Sequence, residues 1–296
     1  MAQRDWFWII LLGAIWGCSF IFNAVLIREI GPLWVTSFRV GIGALGCWGV
    51  MVALRKPIPR SPTLWLKLGA LGILAYAIPF ALFPLAQANL ASGVAAIINA
   101  LTPIMTVIVS HFWIGGEKAS RIKSAGVAVG FAGVAILASP ALLSGGQSQL
   151  WAVATCLLAT LCYALSLNIT RSFKAVEPTA LAAIALTGAA IVAIPVAFMV
   201  EGTPVMLRTE TWLAAAAIGL ISTAFTFQIM YRILPRVGAT NFATTTFIAP
   251  ISAVILGVTL LRETVLPIQL LGMLVTFAGL LLIDGRIGKF WHRATA

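Results

Sequence analysis

The sequence predicts an all-α polytopic membrane protein: ten transmembrane helices arranged as two inverted five-helix repeats. Three observations lead there. Hydrophobic types make up 61% of the 296 residues and charged types only 9%, with a mean hydropathy of +1.05. An ordinary soluble domain carries roughly 25% charge, and a globule of this size cannot hide so much apolar surface from water. The apolar residues fall into ten runs of bilayer-crossing length, and the second five echo the first at a fixed offset. A soluble enzyme and a disordered chain are excluded by the same numbers.

Each span is bounded by charge or by turn residues. The first, 6–27, is longer than the apolar core of a signal peptide. It ends in Arg28-Glu29 rather than at a small-residue cleavage site, so it is expected to stay as a span. Gly31-Pro32 opens the second, 33–54, and Lys56-Pro57 with Pro59 closes it. The third and fourth, 64–85 and 91–113, are separated by a short gap; Gly115-Gly116 ends the fourth. The fifth covers 122–138, and Gly145-Gly146 leads to the sixth, 149–169. Glu177-Pro178 precedes the seventh, 180–200, and Gly202 with Pro204 follows it. The last three are expected at 212–232, 238–260 and 267–284, again with a short gap between the eighth and ninth.

The formal charge of +11 would suggest nucleic acid in a soluble protein, but the basic residues sit between the spans. On the side of the N-terminus lie Arg4, Arg55, Lys56, Arg60, Lys67, Lys118, Arg121, Lys123, Arg171, Lys174, Arg232, Arg236, Arg286, Lys289 and Arg293. The other side holds only Arg28, Arg208 and Arg262, and Arg39 falls within a span. The positive-inside rule therefore puts both termini in the cytoplasm. Trp6, Trp8, Trp34, Trp65, Trp113, Trp151, Trp212 and Trp291 lie near span ends, where an aromatic belt belongs. The tail from Arg286 to Arg293, with Phe290 and Trp291, reads as an interfacial anchor. Cys18, Cys47, Cys156 and Cys162 all fall in apolar runs without metal spacing and are expected to be packing residues.

The internal repeat divides the chain at about 143 into units 1–143 and 144–296. Gly126 matches Gly272, Phe131-Ala132-Gly133 matches Phe277-Ala278-Gly279, Glu117 matches Glu263, and Pro32 matches Pro178, all at an offset of 146. Pro103 matches Pro250 and Phe80 matches Phe227 at 147. Five is odd, so the second unit enters the membrane from the opposite side. Inverted repeats of this kind place a substrate site at their interface in many secondary transporters, because two similar halves of opposite orientation can exchange conformations.

The motifs resemble one superfamily over nearly the whole chain. They are Trp16-Gly17-Cys18-Ser19-Phe20 in span 1, Ala91-Ser92-Gly93-Val94-Ala95-Ala96 with Leu101-Thr102-Pro103 in span 4, Glu117, and the Gly126-to-Gly133 segment, with counterparts in the second half. The chain is similar to the drug/metabolite transporter (DMT) superfamily in its EamA-type branch, and within it to YddG-type exporters of aromatic and other amino acids. The resemblance implies a central cavity lined by spans 1–4 and 6–9, with spans 5 and 10 peripheral, and export from the cytoplasm. The expected protein is an inner- or plasma-membrane secondary carrier of small organic metabolites, amino acids foremost, working by alternating access without ATP. It is expected to be no enzyme, to hold no cofactor or metal, to bind no nucleic acid, and to be a monomer or weak homodimer. A multidrug or nucleotide-sugar carrier is the alternative within transport; a polytopic membrane enzyme or a sensor is the alternative outside it. The chain has only two His (His111 and His292) and no extramembrane gap of domain length, which argues against the last two.

Arg39 is the one charge well inside a span, where it costs roughly 3 kcal/mol on insertion scales. It reads either as a guanidinium that attracts a substrate carboxylate, or as one that bonds backbone carbonyls or snorkels outward. No Asp or Glu lies deep in a span: Glu117, Glu263 and Asp284 sit at span ends, which argues for facilitated diffusion or exchange. His111 reads as an interfacial residue rather than a proton relay. Trp16, Ser19, Phe20 and Asn23 share one helix face, and Tyr76, Phe80 and Phe83 another. Tyr163 and Asn168 in span 6, Thr223, Phe227 and Tyr231 in span 8, and Thr244 and Thr246 in span 9 add to a set of which each member reads as core filling or as cavity lining, and which together would make an apolar-aromatic lining with few hydrogen-bonding groups. That lining suits a modest organic solute. Pro103 and Pro250 free the carbonyls of Asn99 and Thr246 and read either as gating hinges or as static kinks that shape packing. The Gly126, Gly130 and Gly133 stripe is expected to pack within the bundle, with dimerisation as the alternative.

Overall fold

The computed structural model describes residues 2–284, apart from the side chains of 239 and 240. The basic tail, with Phe290, Trp291 and His292, lies outside the described residues. The described residues form helices and no strand. Among them nine helices are long and apolar enough to cross a bilayer: Gln3–Leu26, Pro32–Ala53, Pro62–Gln87, Ser92–Phe112, Arg121–Leu143, Gln147–Phe173, Pro178–Glu201, Thr209–Gly238 and Pro267–Asp284. The shorter apolar helix Thr245–Leu260 takes the ninth place in order, giving ten spans in two inverted fives.

Helix starts follow from local chemistry. Proline opens spans 2, 3, 7 and 10, where its missing N–H costs nothing. Ser61, Ser120 and Glu177 accept from the backbone N–H groups of Leu64, Lys123 and Ala180. One boundary differs from expectation. The eighth helix does not end at 232 but continues to a break at Gly238, whose φ is +74°. Arg232 and Arg236 look like loop punctuation in the sequence. Yet Ile233 and Val237, each next to one of these arginines, pack on Ile9 and Leu12, and Arg236 pairs with Asp5. The extra turns are an amphipathic extension past the apolar run.

Span 4 is interrupted. Ser92–Asn99 and Thr102–Phe112 are separate helices, and Pro103 lies in the first turn of the second. The hydroxyl of Thr102 donates to the carbonyl of Asn99 (2.8 Å). Pro250, in contrast, lies inside Thr245–Leu260, so the two prolines occupy matching positions in unequal geometry. Spans 3 and 8 each contain a π-helical stretch, Ile73–Ala77 and Ala217–Phe225, at corresponding places in the two repeats.

Spans 5 and 10 pack tightly along their glycines. A Cβ on Gly133 would lie 2.5 Å from the amide nitrogen of Thr276, and one on Gly279 would lie 2.5 Å from that of Gly130. The stripe is therefore used within the chain. Spans 2 and 7 are tied at both ends. At the N-terminal face Lys56 Nζ reaches Glu177 (2.6 Å) and Thr179 (2.6 Å). At the opposite face Glu201 accepts from the amides of Leu33 (3.0 Å) and Trp34 (3.1 Å). Burial alone would push the Glu177 carboxyl up, but Lys56 and the Ala180 N–H outweigh it and hold it below the usual carboxylate range.

Candidate functional site

The middle of the bundle is a ring system built around Arg39. One partner, Thr223, lies in the second π-helical stretch, and the other, Phe80, lies just after the first. Tyr76 lies in the first and Thr223 in the second, at an offset of 147, and Phe80 and Phe227 follow one turn later at the same offset. A π-bulge redirects the side chains of its turn, which is why such bulges gather at functional sites. Span 2 reaches them because Gly43 and Gly219 let the helices approach: a Cβ on Gly219 would lie 2.5 Å from Cβ of Ile42.

Arg39 is buried, with 9% of its surface exposed. It does not snorkel, and it does not bond a carbonyl. Its Nε donates to the Thr223 hydroxyl (3.2 Å), and its Cζ stands 3.7 Å above the centre of the Phe80 ring. A desolvated cation over an aromatic face gains about 2 kcal/mol, which offsets much of the cost of burying the charge. Among the described residues no carboxylate pairs with Arg39, and neither of its Nη groups donates a hydrogen bond to protein.

The rings continue outward from there. Tyr76 lies 5.6 Å from both Phe80 and Phe227, and Phe227 lies 6.2 Å from Tyr231. Tyr163 packs between Phe80 (6.4 Å) and Phe83 (6.1 Å), and Phe83 meets Phe20 edge-on at 5.5 Å. All three tyrosines of the chain are thus in one cluster with its one intramembrane cation. No phenol oxygen among them bonds to a described residue, and none is sealed from solvent-sized space.

The structure therefore brings together Arg39, Phe20, Tyr76, Phe80, Phe83, Tyr163, Phe227 and Tyr231. The other sequence-derived candidates stand elsewhere. Trp16 donates to the hydroxyl of Thr226 (3.2 Å) and meets Phe242 edge-on. Asn23 donates to Gln87 (3.0 Å), while its Oδ1 and the hydroxyl of Ser19 on the preceding turn are buried without a partner. Asn168 is a strut: it accepts from Ser110 (2.9 Å) and donates to the Ala164 carbonyl (2.9 Å). Asn99 lies at the break in span 4, with Oδ1 buried and unpartnered. Thr246 donates to the Ala243 carbonyl (2.6 Å) at the start of span 9. His111 accepts from the Ala119 amide (3.0 Å) at the N-terminal face, as an interfacial residue would.

One bond and one residue escape the sequence reading. Thr223 is expected on the lining, but nothing in the chain points it at Arg39. Gln87 looks like a residue at a span end. In the structure it is buried and joins three helices, donating to the carbonyl of Phe20 (2.7 Å) and the hydroxyl of Ser92 (3.1 Å).

Comparison with known proteins fits this architecture. The model of the EamA-like transporter family matches the chain twice, over residues 5–139 and 150–284. The uncharacterized transporter YoaV of Bacillus subtilis is 25% identical over 285 residues, covering 92% of this chain and 94% of its own. The uncharacterized inner membrane transporter YedA of Escherichia coli K12 is 24% identical over 277 residues, covering 92% and 88%. Protein PecM of Dickeya dadantii is 23% identical, covering 91% and 89%. A protein crystal structure superposes with a TM-score of 0.67 at 16% identity, over 96% of this chain and 98% of its own, and shares the fold. Two family matches that together cover most of the sequence, on a bundle of ten helices in two inverted fives, show that this chain belongs to the EamA-like transporter family.

Proposed function

We propose that this transporter is a secondary exporter of small organic metabolites that carry a carboxylate, amino acids with aromatic or other large side chains foremost. One observation carries the reading: a buried guanidinium fixed by Phe80 and Thr223, with both Nη groups unused, lies in one ring cluster with three tyrosines whose phenol oxygens bond to no described residue. A planar pair of N–H donors matches a carboxylate, and the aromatic wall suits a ring or a long apolar side chain. Binding needs no covalent chemistry and no ATP. The solute gradient supplies direction, and the two repeats (1–143 and 144–296) supply two states of one bundle. The excess of Lys and Arg on the N-terminal face supports an orientation with both termini in the cytoplasm of a cell whose plasma or inner membrane holds the protein as a monomer or weak dimer.

The test is counterflow of labelled amino acids into liposomes holding only the purified protein. Saturable flux of tyrosine or phenylalanine, competed by other amino acids and not by their amides, is expected. Absence of flux for every amino acid, with robust flux for a cationic drug or a nucleoside, would overturn the substrate and leave the carrier.

A further inference from the structure

The two repeats are related in sequence but differ in the contacts they make, and the difference is concentrated at one pair of glutamates. Glu263 follows span 9. Its carboxylate accepts from the backbone N–H of Ser92 (2.8 Å) and from the Ser92 hydroxyl (2.7 Å), at the start of the eight-residue helix that opens span 4. From Ser92 the chain of bonds runs through Gln87 to Asn23 and the Phe20 carbonyl, so spans 1, 3 and 4 and the link between spans 9 and 10 are joined on the face opposite the N-terminus. The closure is tight. A Cβ on Gly257 would lie 2.5 Å from Glu263 Oε2, and one on Gly93 would lie 2.6 Å from a methyl of Val254. A recess of about 480 Å³, lined by Ala24, Arg28, Pro32, Gln87 and Glu263, ends on this seal from the outer side.

Glu117 occupies the same place in the first repeat, 146 residues earlier, after span 4 and on the N-terminal face. It makes no equivalent bond. It pairs with Lys123 in its own loop, and its side chain is 70% exposed. The position equivalent to the start of span 4 is the break at Gly238 and the single helical turn after it to Asn241, just ahead of span 9. There the second half of span 4, Thr102–Phe112, does not pack as Ser92–Asn99 packs against Thr245–Leu260. Asn168, the repeat's counterpart of Asn23 at an offset of 145, holds Ser110 of span 4 rather than a residue of span 8.

We infer that Glu263 and Glu117 are alternate gate latches: the structure holds the Glu263 latch shut and the Glu117 latch released, and the opposite state docks Glu117 at the Gly238–Asn241 turn while Glu263 leaves Ser92. A carboxylate suits this task because it accepts two donors at once at a point where backbone N–H groups face outward without intrahelical partners. The inference rests on the alternating-access reading above, and it assigns the present conformation as sealed on the face opposite the N-terminus.

Cross-linking tests it on the full chain in liposomes, without any substrate. Cysteines in the pair K118C and N241C, which leave the Glu117 carboxylate in place, report docking at the N-terminal face, read by peptide mapping after oxidation. In the otherwise wild-type chain the yield is expected to be low. Adding E263Q should raise it about tenfold, the factor that roughly 1.4 kcal/mol represents, and E210Q, an exposed glutamate on the same face as Glu263, should leave it unchanged. S92A, which removes one donor and spares the carboxylate, should raise it by a smaller factor and serves if E263Q does not fold. The oxidised pair should stop flux, and reduction should restore it. An unchanged yield in both E263Q and S92A overturns the latch. A yield that shifts without amino-acid flux overturns the substrate proposal and keeps the latch, so the two fail separately.

Discussion

Replacing Arg39 by Met isolates the carboxylate anchor. The change keeps the length and apolar stem of the side chain and removes the cation. In the structure Nε is already spent on Thr223 and the guanidinium face on Phe80, which leaves two Nη groups for the solute. A hydrogen bond to a charged group contributes about 1.5–3 kcal/mol, so a pair in a dry site contributes at least about 3 kcal/mol. At 1.4 kcal/mol per tenfold, R39M should weaken an amino acid roughly 100-fold. Competition of labelled phenylalanine counterflow in liposomes, measured for wild type and R39M with phenylalanine and phenylalaninamide, gives the cycle. Wild type should prefer the acid by about that factor, and R39M should show no preference. The variant should melt no lower than wild type, because the buried charge that costs about 3 kcal/mol to insert has gone. Unchanged affinity for the acid in R39M, or equal loss for acid and amide, refutes the reasoning.

Other outcomes follow from the packing and the charges. G133L drives a side chain into Thr276 of span 10, where a Cβ alone would sit 2.4 Å from the hydroxyl; the melting temperature should fall by an amount equal to about 1–3 kcal/mol, while G49A, which meets nothing within 4 Å, should not move it. The pair P103A and P250A should slow counterflow and alter which face is accessible to a thiol reagent, since Pro103 begins the second helix of a broken span; a normal rate with normal accessibility rejects the hinge. Glu177, held below its ordinary value of 4.5, contributes stability that is present above that value and lost as pH falls through the lower folded value. Wild type should therefore lose roughly 1 kcal/mol more than E177Q on acidification through that range, seen as a difference in detergent melting curves.

Much of the fold is legible in the chain because lipid imposes one rule: every backbone group must bond within its own segment, so an apolar run of 20 residues is a helix. The number of spans, the parity that inverts the second repeat, and the buried Arg39 come from counting and spacing alone. The end of span 8 does not, because Ile233 and Val237 find partners on span 1 that no local pattern reveals. Nor does the membership of the ring system. These helices are apolar nearly all round, so no stripe marks the face that turns inward, and packing decides it. Asn168 and Tyr163 lie five residues apart on one helix, yet one is a strut and the other a wall of the site. The π-helical stretches, the bond from Arg39 to Thr223 and the unequal engagement of Glu117 and Glu263 depend on which helices touch. Those contacts are set by packing free energy spread over the whole bundle, which no single segment of the sequence carries.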